Sequence, residues 1–416
     1  MRKNGQPGIL ARQVSKRVEN SVYDKKGDVM SMGRNSSLVR QRRFNNADLM
    51  GMIFAAAVLA VLLLSILSAD RLGTIDNGRY AQTMQAAGLE YLPEDLENPD
   101  TLQYDHVIER YGYGSFSYWK LLAPNGECSV IYPIAVVRLL TQPFGIPFST
   151  QYLAIVYALL FAAGTYILVK SCCFLGGWVG AIPGAFLFLA AADRNLTAYF
   201  NSLYNVGMTV VGLLLLAASS MRMFTYGKTR PGRSLALFLL AAVLCLNSSV
   251  LSILFAPAAV FAGLAALTAA VREERIRLKG AFGVILILAA AVFSSVQYQN
   301  ESPDIQSDAS VYHSAFIGFL EASDDPKADL AEFGLDESYL ADIGKTYYYP
   351  AEDYRHCPWE DSALFEKLTR SSVRSFFLRH PIRLIQTARR QAEQYNHFES
   401  SVVSRAAGDG QTEHVW

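Results

Sequence analysis

The residues best placed to do chemistry lie in one short polar run, ADRLGTIDNGRY, from Ala69 to Tyr80. Asp70 and Asp76 are six residues apart, and Arg79 follows Asp76 by three. A carboxylate can take the proton of an acceptor hydroxyl, and a nearby guanidinium can stabilise a phosphate leaving group through charge-assisted hydrogen bonds. A plainer reading stands beside this one, because Asp-Asn-Gly is a common turn sequence and an Asp beside an Arg is more often a surface ion pair. Two aromatic clusters, Tyr111, Tyr113, Phe116, Tyr118 and Trp119, then Tyr347, Tyr348 and Tyr349, could stack on apolar sugar faces or anchor the chain at a membrane interface.

Other chemistries find less support. The six histidines, His106, His313, His356, His380, His397 and His414, show neither HxxxH nor HExxH spacing. The sequence assigns no cofactor and no metal ligands, and a divalent cation held by carboxylates of the acidic first loop is the one candidate. No Gly-x-Ser-x-Gly nucleophile elbow is present. Cys172, Cys173 and Cys245 read as reduced packing residues, whereas Cys128 and Cys357 fall in segments expected outside the membrane, where a disulfide can form.

The elements that must hold these residues are continuous apolar stretches. Of 416 residues, 51% are apolar and 18% charged, below the roughly 25% charged of soluble domains. A bilayer core of about 30 Å needs roughly 20 apolar residues as helix. Spans are therefore predicted at 49–68, 150–169, 174–192, 204–221, 234–247, 250–271 and 281–297. The first reads as an uncleaved signal anchor. The uncharged run from Leu235 to Ala270 is too long for one span. Its flanking loops, 222–233 and 272–279, carry four basic residues each and belong together on the cytoplasmic side, so the run is divided as a hairpin at Asn247, Ser248 and Ser249.

The 37 basic and 37 acidic side chains cancel, which argues against a nucleic-acid partner. Their distribution orients the chain. Residues 1–48 have eleven Lys and Arg against four acids, and residues 69–128 have four against ten. The expected organisation is a disordered basic cytoplasmic N-terminus over 1–48, a first extracytoplasmic loop over 69–149, the membrane module to 297, and an extracytoplasmic, mainly helical C-terminal region over 298–416. The first loop ends in a semi-apolar piece, 130–146, containing Arg138, which reads as an interfacial helix. In the tail, the stretch from Ser362 to His397 reads as helix broken at His380-Pro381. Its apolar positions, including Phe376, Ile382, Leu384 and Ile385, either lie along the membrane surface or pack as an ordinary domain helix.

A polytopic chain whose long external loop follows the first span and begins with acidic residues resembles the type C (GT-C) superfamily of integral membrane glycosyltransferases. Within it, the chain is similar to bacterial hexosyltransferases of cell-surface polymer assembly. The residues that carry the likeness are DNGR from Asp76 to Arg79, YFNSLY from Tyr199 to Tyr204, and HSAFIGFLEASDDPKADLAEFGL from His313 to Leu335. The resemblance implies an all-α polytopic membrane fold of about seven transmembrane helices and inverting transfer of a hexose from a polyprenyl-phosphate donor to a glycan or lipid-linked acceptor. It also implies Asp76 as base, Arg79 and Arg194 as partners of the donor phosphate, and Asn201, Tyr204 and His313 as substrate-binding residues. Arg194 keeps a plainer reading as a loop-end charge beside Asp193, and an acidic residue expected shortly after Tyr204 is replaced by Asn205 and Val206. Two other classes compete: a flippase for lipid-linked sugars, which would need ionisable residues within the spans where almost none occur, and a non-catalytic scaffold.

Overall fold

The computed structural model describes residues 46–76, 80–97, 107–121, 129–226, 231–248, 254–272, 278–301, 308–345, 347, 358, 361–395 and 403–405. The expected disorder of the N-terminal segment therefore falls, up to residue 45, outside the described residues, as do Arg79, Cys128, Cys357, Tyr348 and Tyr349.

Helix α1 (Asn46–Ile66) leads into the short strand β1 (Leu72–Thr74), α2 (Tyr80–Ala87), β2 (Leu89–Glu90), β3 (Arg110–Tyr113), α3 (Ile131–Thr141) and β4 (Phe148–Ser149). The membrane module follows as α4 (Thr150–Cys173), α5 (Gly177–Ala191), a short α6 (Arg194–Phe200), α7 (Val206–Tyr226), α8 (Pro231–Leu246), α9 (Ala256–Arg272) and α10 (Leu278–Glu301). Helices thus occupy all seven apolar stretches marked in the sequence. Three of them, α1, α4 and α7, are long and apolar enough to cross a membrane, and the others contain shorter apolar helices. The class is all-α and polytopic, as expected.

Leucine, alanine and valine runs without charge favour helix and leave only side chains to meet the surroundings. Many of those side chains are exposed, among them Leu64, Trp178, Ile182, Phe186, Phe224, Phe261 and Phe293. Such a belt is tolerable against lipid and not against water. Where helices meet each other, glycine sets the separation: a Cβ on Gly212 of α7 would lie 2.9 Å from the Cys245 Cα of α8, and one on Gly164 of α4 would lie 2.8 Å from the Leu214 side chain.

Contacts at the helix ends define two faces. On one, Asp48 at the start of α1 accepts from the Tyr166 hydroxyl at 2.6 Å and pairs with Lys170 near the end of α4. On the other, the first loop covers the helix ends: Ser129 donates its N–H to the Asn247 carbonyl and its hydroxyl to the Leu244 carbonyl, both at 2.7 Å, which satisfies free carbonyls at the end of α8. The end of α8 and the first loop therefore share one face. β1 is on that face too.

Short strands accompany the helices without changing that class. β2, β3 and β4 form a small antiparallel sheet, and β1 pairs with β5 (Val403–Arg405), matching Leu72 with Arg405 and Thr74 with Val403. The semi-apolar piece is helical as α3, with Leu139 and Leu140 exposed. Its Arg138, however, is buried. The guanidinium donates to the carbonyls of Ala87 and Gly88 at 3.2 Å and of Gly114 at 2.5 Å, and covers the rings of Tyr113 and Phe116. It is a clamp between α2, β3 and α3.

The tail has its own core around Tyr312, Phe316, Phe319 and Phe376. Helix α11 (Asp308–His313) runs into one π-helical stretch (Ser314–Phe319), followed by α12 (Pro326–Glu332), α13 (Ser362–Lys367), α14 (Arg370–Arg379) and α15 (Pro381–Tyr395). The break at His380-Pro381 lies where the sequence put it. A second break precedes Thr369, which caps α14 in a reciprocal box with Ser372.

Candidate functional site

Asp76 lies just beyond β1, at 3% exposure. One carboxylate oxygen accepts the backbone N–H of Tyr80 at 3.1 Å, so Asp76 helps begin α2, and the other accepts the Tyr91 hydroxyl at 2.9 Å. Four tyrosines wall this place. Tyr80 and Tyr204 meet edge to face at 4.8 Å, and Tyr91 packs on Tyr111 at 5.9 Å. Burial pushes the phenols of Tyr80, Tyr91 and Tyr111 above their ordinary range, and for Tyr91 the charge of Asp76 adds to the effect. Tyr91 is therefore a proton-bearing donor toward the carboxylate. The plainer Asp-Asn-Gly turn reading falls on Asn77 and Gly78, outside the described residues, and it would not account for the second oxygen or the tyrosine wall.

The backbone that presents Asp76 is held by the residues singled out in YFNSLY. The Tyr204 hydroxyl donates to the Ile75 carbonyl at 2.9 Å. Asn201, at the end of α6, donates to the Leu72 carbonyl at 3.2 Å and to Glu109 at 3.1 Å, and accepts from the Thr150 hydroxyl at 2.8 Å. Both side chains act on β1 and its neighbours. Arg194 is elsewhere: Asp193 caps α6, and the Arg194 guanidinium donates to the Asp70 carbonyl at 2.5 Å, at the opposite end of β1 from Asp76. His313 belongs to the tail core, where its Nε2 accepts the Tyr347 backbone N–H at 2.8 Å. Arg79 is outside the described residues.

Two residues that matter here were not singled out in the sequence. Arg71 forks onto Glu109, Nε to Oε1 at 2.8 Å and Nη2 to Oε2 at 2.6 Å, and the hydrogen bond to Glu109 raises the Arg71 pKa. Their side chains are only 20% and 16% exposed. A signal existed, since Arg71 follows the first span at once and a charge there needs a partner. The partner is 38 residues away in the chain, with no periodicity connecting them.

Among the described residues, no group of three His, Cys, Asp or Glu side chains converges as a metal site. Cys172, Cys173 and Cys245 are free thiols, and the expected Cys128–Cys357 pairing lies outside the described residues. In the first aromatic cluster, Tyr111 is a core residue and Tyr113 and Phe116 pack on Arg138, while Trp119 is exposed.

Fold and site together define a multi-pass membrane protein with a buried carboxylate where its first loop meets the ends of α1, α4 and α6. The chain belongs to the family of the YfdI N-terminal transmembrane domain, which matches residues 34–411. No curated protein and no solved structure matches it.

Proposed function

We propose that this protein is an inverting membrane glycosyltransferase, moving a hexose from a polyprenyl-phosphate donor to a cell-surface glycan or its lipid-linked precursor. It would sit in the cell membrane with its N-terminus in the cytoplasm and the Asp76 face outside. The observation that supports this reading is the carboxylate of Asp76, buried within a tyrosine wall directly beyond a spanning helix, on the face where β1, α6 and β5 meet.

In this reading Asp76 accepts the proton of an acceptor hydroxyl, whose oxygen attacks the anomeric carbon from the side opposite the phosphate. The bond from that carbon to the phosphate oxygen breaks, and the carrier phosphate leaves with the electron pair. Arg79 is the cation proposed to balance it, and Arg194, held on the Asp70 carbonyl at the far end of β1, would have to swing across to join it. Asn201, Tyr204 and the Arg71–Glu109 pair serve as positioning residues for β1. His313 enters the proposal as a substrate-binding residue on the resemblance alone, since its Nε2 is taken by the Tyr347 N–H in the tail core. Because Asp76 is covered, turnover requires the site to open.

The test is incubation of the purified protein in detergent with polyprenyl-phosphate hexoses and candidate acceptors, following carrier release. Acceptor-dependent release is expected. A donor that stays intact with every hexose and acceptor, in protein shown to be folded, would overturn the assignment.

A further inference from the structure

Helix α15 is built inside out for a water-exposed tail. A surface helix of a soluble domain turns its apolar stripe to the core and its polar face to water. Here Arg383, Gln386 and Thr387 face the tail core, and Arg390, one turn on and half exposed, reaches back to it. Arg383 lies 3.6 Å from Asp329 and 3.7 Å from Asp324, Arg390 donates to Glu321 at 3.3 Å, and Thr387 packs against Gly318 in the π-helical stretch. Gln386 Oε1 and Thr387 Oγ1 are buried beneath the helix without a hydrogen-bond partner, a cost the fold accepts to keep this orientation. The apolar side chains point the other way. Ile382 and Ile385 are 70% and 69% exposed, Leu384 is 53% exposed, and Leu378 at the end of α14 is 74% exposed.

Charge around this face narrows what can cover it. From Arg370 to Ala392 the chain has six arginines and no acidic residue. Arg379, Arg383 and Arg390 pair with Glu332, Asp329 and Glu321, with Arg379 and Arg390 still about half exposed. Arg370, Arg374 and Arg389 are exposed. An apolar strip with exposed arginines on a protein that already spans a bilayer is complementary to anionic lipid: the strip enters the acyl boundary while the guanidinium groups remain among the headgroups.

We infer that α14 and α15 dock on the bilayer as an interfacial anchor, with Leu378, Ile382 and Ile385 inserted and anionic phospholipid as the occupant of this face. The anchor holds the tail against the membrane and with it β5, which pairs beside Asp76. The inference is independent of the catalytic reading.

The experiment uses the full chain, with its five native cysteines replaced, in nanodiscs of equal parts phosphatidylglycerol and phosphatidylcholine. A nitroxide is attached at Ile385→Cys and, as a control on exposed tail surface, at Lys327→Cys, and collisions with oxygen and with a water-soluble nickel chelate are compared. The Ile385 probe should favour oxygen and the Lys327 probe nickel. In pure phosphatidylcholine the ratio of docked to undocked tail should fall roughly a hundredfold, the worth of three arginines at an anionic surface. An Ile385 probe open to nickel in anionic nanodiscs overturns the inference. So does spin–spin broadening that marks a second copy on this face, and equal docking in both lipids removes the anionic part.

Discussion

Separating Arg71 from Glu109 should loosen β1 and the carboxylate beyond it. The pair makes two charge-assisted hydrogen bonds at 2.8 and 2.6 Å, and about four-fifths of each side chain is out of water. Removing one partner of a well-buried pair costs about 3–5 kcal/mol, because the charge left behind is uncompensated. The remaining solvent contact puts Arg71→Met and Glu109→Leu at the lower end, about 3 kcal/mol each. The double variant leaves no stranded charge. It loses only the acceptor for Asn201 and some packing, about 1–2 kcal/mol, where additivity would give about 6. Thermal unfolding of the four proteins in one detergent measures the cycle. Additive losses, or single variants within about 0.5 kcal/mol of the parent, would show that the pair is an ordinary surface contact and that β1 is held some other way.

Three further outcomes follow from the same geometry. Tyr80, Tyr91 and Tyr111 have pKa values raised by burial, so above pH 10 or so the unfolded chain releases phenolic protons that the folded chain keeps. Stability should then fall with rising pH by up to about 1.4 kcal/mol per unit for each phenol; alkaline melting series of the parent and Tyr91→Phe would show a shallower slope in the variant. Gly212→Ala should destabilise by about 1–3 kcal/mol, since its Cβ meets the α8 backbone, whereas Gly283→Ala, with nothing within 4 Å, should be near neutral in the same melts. If Asp76 is the base, Tyr91→Phe removes one hydrogen bond that aims it, and carrier release should slow by roughly tenfold with the fold retained.

The helices were legible because the bilayer imposes a length and a polarity that a sequence displays directly, and because Pro381 can begin a helix but not continue one. The charge rule also grouped the first loop with the hairpin tip, which Ser129 joins to Asn247 in the structure. The site was legible in part. Asp76, Asn201 and Tyr204 lie together at β1, where Asn201 and Tyr204, expected to bind substrate, hydrogen-bond to the Leu72 and Ile75 carbonyls, and Arg194 and His313 lie elsewhere. What remained hidden depends on pairing across long stretches of chain: Glu109 with Arg71, β5 with β1, and the carbonyls that claim Arg138. Single-sequence periodicity reports which face of an element is apolar and says nothing about its partner.

The most direct test of the central claim is Asp76→Asn, assayed for transfer from a polyprenyl-phosphate hexose with insertion and melting followed in the same preparation. The substitution keeps an oxygen that can accept from Tyr80 or Tyr91 and removes the capacity to take a proton. Carrier release should disappear while the protein remains inserted and folded. Release at the parent rate in that variant would contradict it.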